Sequence, residues 1–237
     1  MAFGHGKNST VYLNGLKATD YLSKIATKLS CSVHDSTPFG KNSKTFIAGI
    51  KDGGVNGAGL YDGDQVLVYD TFRRALGSSS DALWMAFWQG DVLSSPGMAY
   101  RSVNTDYTIS SPVSGLVSIT AGGQADNDVD IVKSLHALGA ETSTGNGPTL
   151  DESAASSAGC AAHLHVTAIT GTNIIVKVQH GAASDMSDAS DLLTFTSVTA
   201  ALSAERQSAS GTVKRYIRYN LSGTFTSATF VLGWSRK

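Results

Sequence analysis

Two cysteines, four prolines and a charged fraction of 16% are what this 237-residue chain has least of. Cys31 and Cys160 fall one to each half with no Cys-x-x-Cys, so neither a disulfide framework nor a cysteine-rich metal cluster can be built. Their small neighbours read as the surroundings of buried thiols. Eighteen Lys and Arg against nineteen Asp and Glu give a formal charge of -1. With no basic excess and no Lys/Arg run, the chain lacks the footprint of a nucleic-acid or membrane-surface binder. Nowhere do ~18 apolar residues run together, and Met-Ala-Phe-Gly-His-Gly at the start has no apolar core of a signal peptide. A soluble chain made in a cytoplasm is expected, which leaves the sequons at Asn8 and Asn220 without weight.

Reactive constellations are missing as well. Ser and His are plentiful, yet no strand-turn-helix elbow holds a nucleophile, and scattered carboxylates define no acid-base pair. The glycines at 53, 54, 57 and 59 lack the Lys-Ser/Thr ending of a phosphate loop, and read instead as bulges or close backbone approaches in a sheet. Asp126-Asn-Asp128-Val-Asp130 opens like a calcium loop, but Ile131 stands where the turn needs Gly and Ala137 where the bidentate Glu belongs. An acidic, solvated strand edge is the simpler reading. His163 and His165, at i and i+2, share one side of a strand; two ligands are too few for a metal, and no fixed spacing supplies Cys160 as a third. The expectation is therefore no enzyme, no cofactor and no metal.

What is present is β-pattern. Thr10-Val-Tyr-Leu13 ends on the turn dipeptide Asn14-Gly15, and Ile25, Leu29, Cys31 and Val33 mostly share one parity. His34 to Lys44 is a polar loop of about ten residues, longer than the usual ~4–6. Thr45 to Ile50 resumes a strand. Asp64 caps the single expected helix, with Val66, Tyr69, Phe72 and Leu76 at helical spacing and Gly77 beyond. Leu83 to Trp88 is apolar on both parities and reads as a strand covered on both sides, with Trp84 and Trp88 in the core. Tyr107 to Thr120 gives two strands joined around Pro112 or Gly115, and Val129 to Leu135 another.

The order of these parts, with Phe46-Ile-Ala-Gly-Ile-Lys-Asp-Gly53 and Ser110-Ser-Pro-Val-Ser-Gly-Leu-Val-Ser118, resembles the tail tube (major tail) proteins of long-tailed bacteriophages over about residues 8 to 140. The resemblance implies a β-sandwich or half-barrel flanked by one helix. It also implies six copies in a ring whose sheets line a channel, with rings stacked into a tube through which DNA passes as non-specific cargo. Other tail or virion proteins are the further partners, and membranes are not involved. It places the protein in the virion tail, assembled in the host cytoplasm, and gives the long loop a contact to the neighbouring ring. The interface residues would be His34, Asp35, Pro38, Phe39, Lys41 and Lys44.

A Gly/Asn/Pro-containing stretch interrupts the pattern at residues 143–149 and reads as a hinge, dividing domain 1–142 from domain 150–237. In the second half, residues 151–159 suit a short helical turn, and the strand-like segments 163–169, 173–180, 192–198, 211–220 and 227–234 are spaced like an antiparallel, jelly-roll-like sandwich. Its architecture is similar to carbohydrate-binding-like β-domains appended to virion proteins. Asp185, Asp188 and Asp191 mark a loop where a sugar or ion would bind. A capsid decoration protein and a carbohydrate-binding surface module are the alternatives to the tail tube subunit.

Overall fold

A computed structural model describes residues 6–61, 73, 76–77 and 82–237. The chain is mainly β, as the alternating patterns imply. Its strands are β1 (Thr10–Leu13), β2 (Leu16–Lys17), β3 (Leu22–Asp35), β4 (Phe46–Leu60), β5 (Ala82–Phe87), β6 (Pro96–Ser110), β7 (Ser118–Glu141), β8 (Gly145–Asn146), β9 (Leu150–Asp151), β10 (Cys160–Gly181), β11 (Ser190–Thr194), β12 (Ser203–Ala209) and β13 (Tyr216–Arg236). The helix expected from Asp64 lies outside the described residues apart from Arg73, Leu76 and Gly77.

Two compact units form, and they are not consecutive halves. The first comprises Met1–Asp20, Ala82–Ala99 and Asp130–Lys237; the second comprises Tyr21–Asp81 and Tyr100–Val129. β6 and β7 each supply one stretch to both. The stretch read as a hinge is held in place. Gly145 and Asn146 pair with Leu221 and Asn220 of β13, and the Gly147 N–H donates to Tyr219 O at 2.9 Å.

The first unit is organised by the antiparallel β10–β13 ladder, which runs from Cys160↔Arg236 to Gly181↔Tyr216. Segments that read as separate strands are therefore single long ones that bend. The bend is where Gly171 (φ 142°) and Gly223 (φ 130°) sit, in backbone that L side chains rarely adopt. A Cβ at either would collide with the opposite strand. Before the bend, Cys160 to Val166 is buried throughout, flanked by β12 on one side and β13 on the other. After it the buried side chains Ile174, Val176 and Val178 alternate with half-buried ones up to the buried Gly181, so one face is packed and the other wetter. The core gathers Leu164, Phe195, Ile217, Phe230 and Trp234, and every member except Leu135 lies between Leu150 and Trp234. A second cluster holds Tyr12, Met85, Phe87, Ala99, Val132 and Val231.

Several local expectations are corrected. No helical turn forms at 151–159, where β9 and isolated bridges to Val213 and Gly211 take up the backbone instead. Trp84 is core but Trp88 is 37% exposed, because β5 ends at Phe87 and the chain turns outward. Cys160 is buried, and burial raises its thiol pKa; Cys31 is exposed.

The second unit is the sheet β3-β4-β7-β6. Ala26 pairs with Asn56, and Asn56 in turn with Gly122. β4 is paired to β7 only from Gly54 to Leu60, so its first half and the facing part of β3 make a two-stranded ribbon.

Because the larger core closes almost entirely within residues 150–237, we expect that fragment to fold alone with a cooperative thermal transition, at a lower midpoint than the full chain. Circular dichroism of the purified fragment decides it; a coil spectrum would show that Leu135 and the β7 ladder are indispensable.

Candidate functional site

The six residues picked out for subunit contact gather at the tip of the β3–β4 ribbon. His34 and Asp35 end β3, and Pro38, Phe39, Lys41 and Lys44 lie in the connecting loop. That loop is tied at its neck. Thr37 donates to Asp35 Oδ1 from its backbone N–H (2.9 Å) and hydroxyl (2.5 Å), and Thr45 N–H donates to Thr37 Oγ1 at 2.8 Å. Those hydrogen bonds, with Lys44 3.5 Å away, hold the Asp35 carboxyl below its ordinary range. Phe39 beyond the neck is fully exposed.

Below the tip the ribbon carries what periodicity alone did not single out. No side chain of β3 is buried. Val33 pairs with Ala48, and Asp35 with Phe46, on one face; His34 pairs with Ile47 on the other. Val33 (61% exposed), Phe46 (57%), Ile47 (61%) and Ile50 (83%) thus leave apolar surface on both faces. A two-stranded ribbon in water is marginal without a third strand or a covering layer. The signal was in the sequence: apolar residues on both parities of a Gly-rich strand imply cover on both sides, and the described residues supply none here.

At the opposite end of the same sheet, the turn between β6 and β7 exposes Val113 and Leu116. The outer edge of β3 has no strand partner among the described residues. Among the described residues, Leu76 and Gly77 meet the outer edge of β6 at Asn104.

Polar groups elsewhere are spent on structure. Asp130, expected at a wet edge, is buried, and accepts from His163 Nε2 and Arg206 Nε, both at 2.8 Å. Burial would raise its pKa, but the two hydrogen bonds and charges outweigh it and hold the carboxyl low. His165 does face the same way as His163, yet it serves as an acceptor for Gly15 N–H at 3.2 Å. Burial, then the nearby His163, pushes its pKa down to about 3. Asp188 caps the Ala182 and Ala183 N–H groups and pairs with Lys214 at 2.9 Å; Asp185 caps Ser187; Asp191 takes Lys177 and Gln179. Each carboxylate of that loop is thus committed to its own neighbours. Among the described residues no three His, Cys, Asp or Glu side chains converge as a metal site.

No protein-family model matches the chain, and no curated protein is significantly similar to it. Among solved structures, a chain in the tail of an empty gene transfer agent (GTA) particle, refined with C6 symmetry, is similar at 13% identity. Its TM-score is 0.44, covering 54% of this chain and 98% of that one. The SPP1 Dit protein, described as a hub adsorption apparatus protein of phages infecting Gram-positive hosts, has 10% identity and a TM-score of 0.37 over 96% of this chain and 98% of that one. A chain of the phage p2 baseplate in its activated conformation has 7% identity and a TM-score of 0.36 over 97% and 98%. Likenesses at these scores assign no role.

His165 makes the first unit acid-sensitive. Its depressed pKa means that its neutral form stabilises the fold fully above pH 6.5, and that this stabilisation is lost as pH falls from 6.5 towards 3. The loss runs at about 1.4 kcal/mol per pH unit. Thermal melts from pH 7 to 4 should show a steeper decline for the wild type than for His165→Gln, and equal slopes would contradict the assignment. The low-pKa carboxylates act only below about pH 4.

Proposed function

We propose that the chain is a structural virion subunit, a tail tube protein whose second unit joins copies of itself into rings that stack into a tube. The reading rests first on the β3–β4 ribbon, because it leaves apolar surface on both faces with no cover among the described residues, and such surface favours contact with another molecule. Self-association is favoured over a foreign partner by the sheet's topology. β3-β4-β7-β6 is an even, antiparallel run whose β3 edge has no strand partner among the described residues, while β6 meets Leu76 and Gly77 at Asn104. Rotation about a ring axis brings the β3 of one copy antiparallel to the β6 side of the next and covers the β3 edge.

The resemblance of the Phe46–Gly53 and Ser110–Ser118 segments to tail tube proteins supplies the rest of the reading. Six copies would form a ring with DNA as cargo in the channel, and residues 34–44 would reach the adjoining ring. The C-terminal β-domain would face outward. With committed carboxylates throughout the first unit and no acid-base set, no enzymatic role is assigned.

Replacing residues 36–45 by a two-residue Asn-Gly turn should leave a folded protein that no longer forms tubes. Negative-stain microscopy and light scattering read assembly, and circular dichroism the fold. Tubes from the shortened variant would reduce the loop to mere surface. Trimers that bind only to capsid shells would transfer the protein to the decoration class.

A further inference from the structure

The outer edge of β3, which has no strand partner among the described residues, is complementary to itself. From Lys24 to Asp35 the strand alternates without a break, because the extra residue at the register shift between Cys31 and Val33 lies on β4, which steps from Lys51 to Ala48 there. Ile25, Thr27, Leu29, Cys31 and Val33 therefore share the face of Val55, the side on which Ile119 and Ala121 are buried. Lys24, Lys28, Ser30 and His34 lie on the other face, with Asp52 and Asn56. Asp52 accepts hydrogen bonds from Gly53 N–H and Gln124, but neither it nor Lys28 has an ion-pair partner among the described residues, and both are exposed.

We infer that two free subunits pair β3 with β3, antiparallel, about a two-fold axis at Leu29. Residues opposite one another in such a pair share a face, so the axis has to pass through a residue, and charge and length choose which. With the axis at Leu29 the strand is paired from Ser23 to Asp35, Leu29 meets itself, and Ile25 meets Val33 of the second copy. On the polar face the cross-strand row reads Asp52, Ser30 and then Lys28 of the second copy, a carboxylate and an ammonium ~10 Å apart at Cα with only a serine between them. The two-fold makes that pair twice. Other axes do worse: Lys28 on the axis opposes two lysines, Ser30 sets Asp35 against Ile25, Thr27 leaves Val33 to Asp35 unpaired, and Cys31 leaves Ile25 beyond the end of the partner strand. The occupant is thus a second copy, held by charge complementarity in one register. This dimer does not depend on the ring reading, and it covers the edge a ring would use, so dimer and ring exclude each other and the free subunit is withheld from assembly until the dimer opens.

The native Cys31 reports the register. It lies opposite Thr27 of the second copy, so Thr27→Cys treated with copper phenanthroline should run as a disulfide-linked dimer on a non-reducing gel. Wild type should stay unlinked, because its two Cys31 residues sit four positions apart along the ladder, ~13 Å, beyond disulfide reach. K28E should raise the concentration for half-dimerisation about tenfold in sedimentation velocity, with an unchanged thermal midpoint, since attraction to Asp52 becomes repulsion at two places. An unlinked Thr27→Cys protein, a wild type linked through Cys31 alone, or a K28E protein that dimerises like wild type would each overturn the register. A wild type that stays monomeric at every concentration overturns the dimer. The linked Thr27→Cys dimer should form tubes only after reduction, and tubes from the linked form would overturn the exclusion. If reduction yields no tubes while the dimer is seen, the ring reading fails and the dimer stands.

Discussion

Every β-strand has two edges, and the backbone N–H and C=O groups along each must find partners. β13 meets this demand over most of its length. β10 runs along one side for its full length, while β9, β8 and β7 succeed one another along the other. The stretch at 143–149 is held by the same demand: polar and glycine-containing though it is, its backbone is needed to pair Asn220 and Leu221. A strand satisfied on both sides becomes the centre of a core, and Phe230, Leu232 and Trp234 on β13 are accordingly buried. β3 is the opposite case, with one partner and no buried side chain. The two units of the chain differ in this respect before they differ in anything else.

Glycine placement follows the same logic. The long ladder of the first unit shifts register around Gly171, and at Gly171 and Gly223, both at positive φ, a Cβ would meet the opposite strand. In the second unit the glycines flatten one face rather than bend it. Gly54 and Gly122 leave Asn56, Gln124 and Asp106 standing above a low backbone, with Gln124 donating to Asp52 and to Gly53 O. A polar surface of this kind, opposite Val55, Ile119 and Ala121 buried on the other side, is a wall with one wet face.

Much of this was legible in the sequence, and the misses have physical causes. The Asn14-Gly15 turn and the strand within Leu83 to Trp88 were read correctly because they depend on near neighbours, whereas the shared parity of Ile25, Leu29, Cys31 and Val33 implied a half-buried strand and no side chain of β3 is buried. Trp88 was placed inside because its type favours burial, yet only the end of β5 decides that it turns outward. Asp130 looked solvated because its partners, His163 and Arg206, lie far along the chain and neither is implied by local spacing. β12 was missed altogether. Ser-Ala-Glu-Arg-Gln-Ser-Ala has little strand propensity, and it is a strand because β10 offers it a ladder, Arg206 reaches Asp130 and Glu205 caps Thr196. The loop at 34–44 was located from its length and polarity, while the apolar ribbon behind it needed the register to show which residues share a face.

Charge in the first unit is spent on the fold itself. In the first unit, carboxylates close turns, bind a neighbouring strand or anchor a buried imidazole: Asp151 with Arg215 at 2.7 Å, Asp188 with Lys214, Asp130 with His163 and Arg206. Groups engaged in this way hold strands and turns together. The second unit differs: the outer edge of β3 has no strand partner among the described residues, and the ribbon it forms with β4 leaves Val33, Phe46, Ile47 and Ile50 exposed, so the surface open to contact there is backbone edge and apolar side chain rather than paired charge.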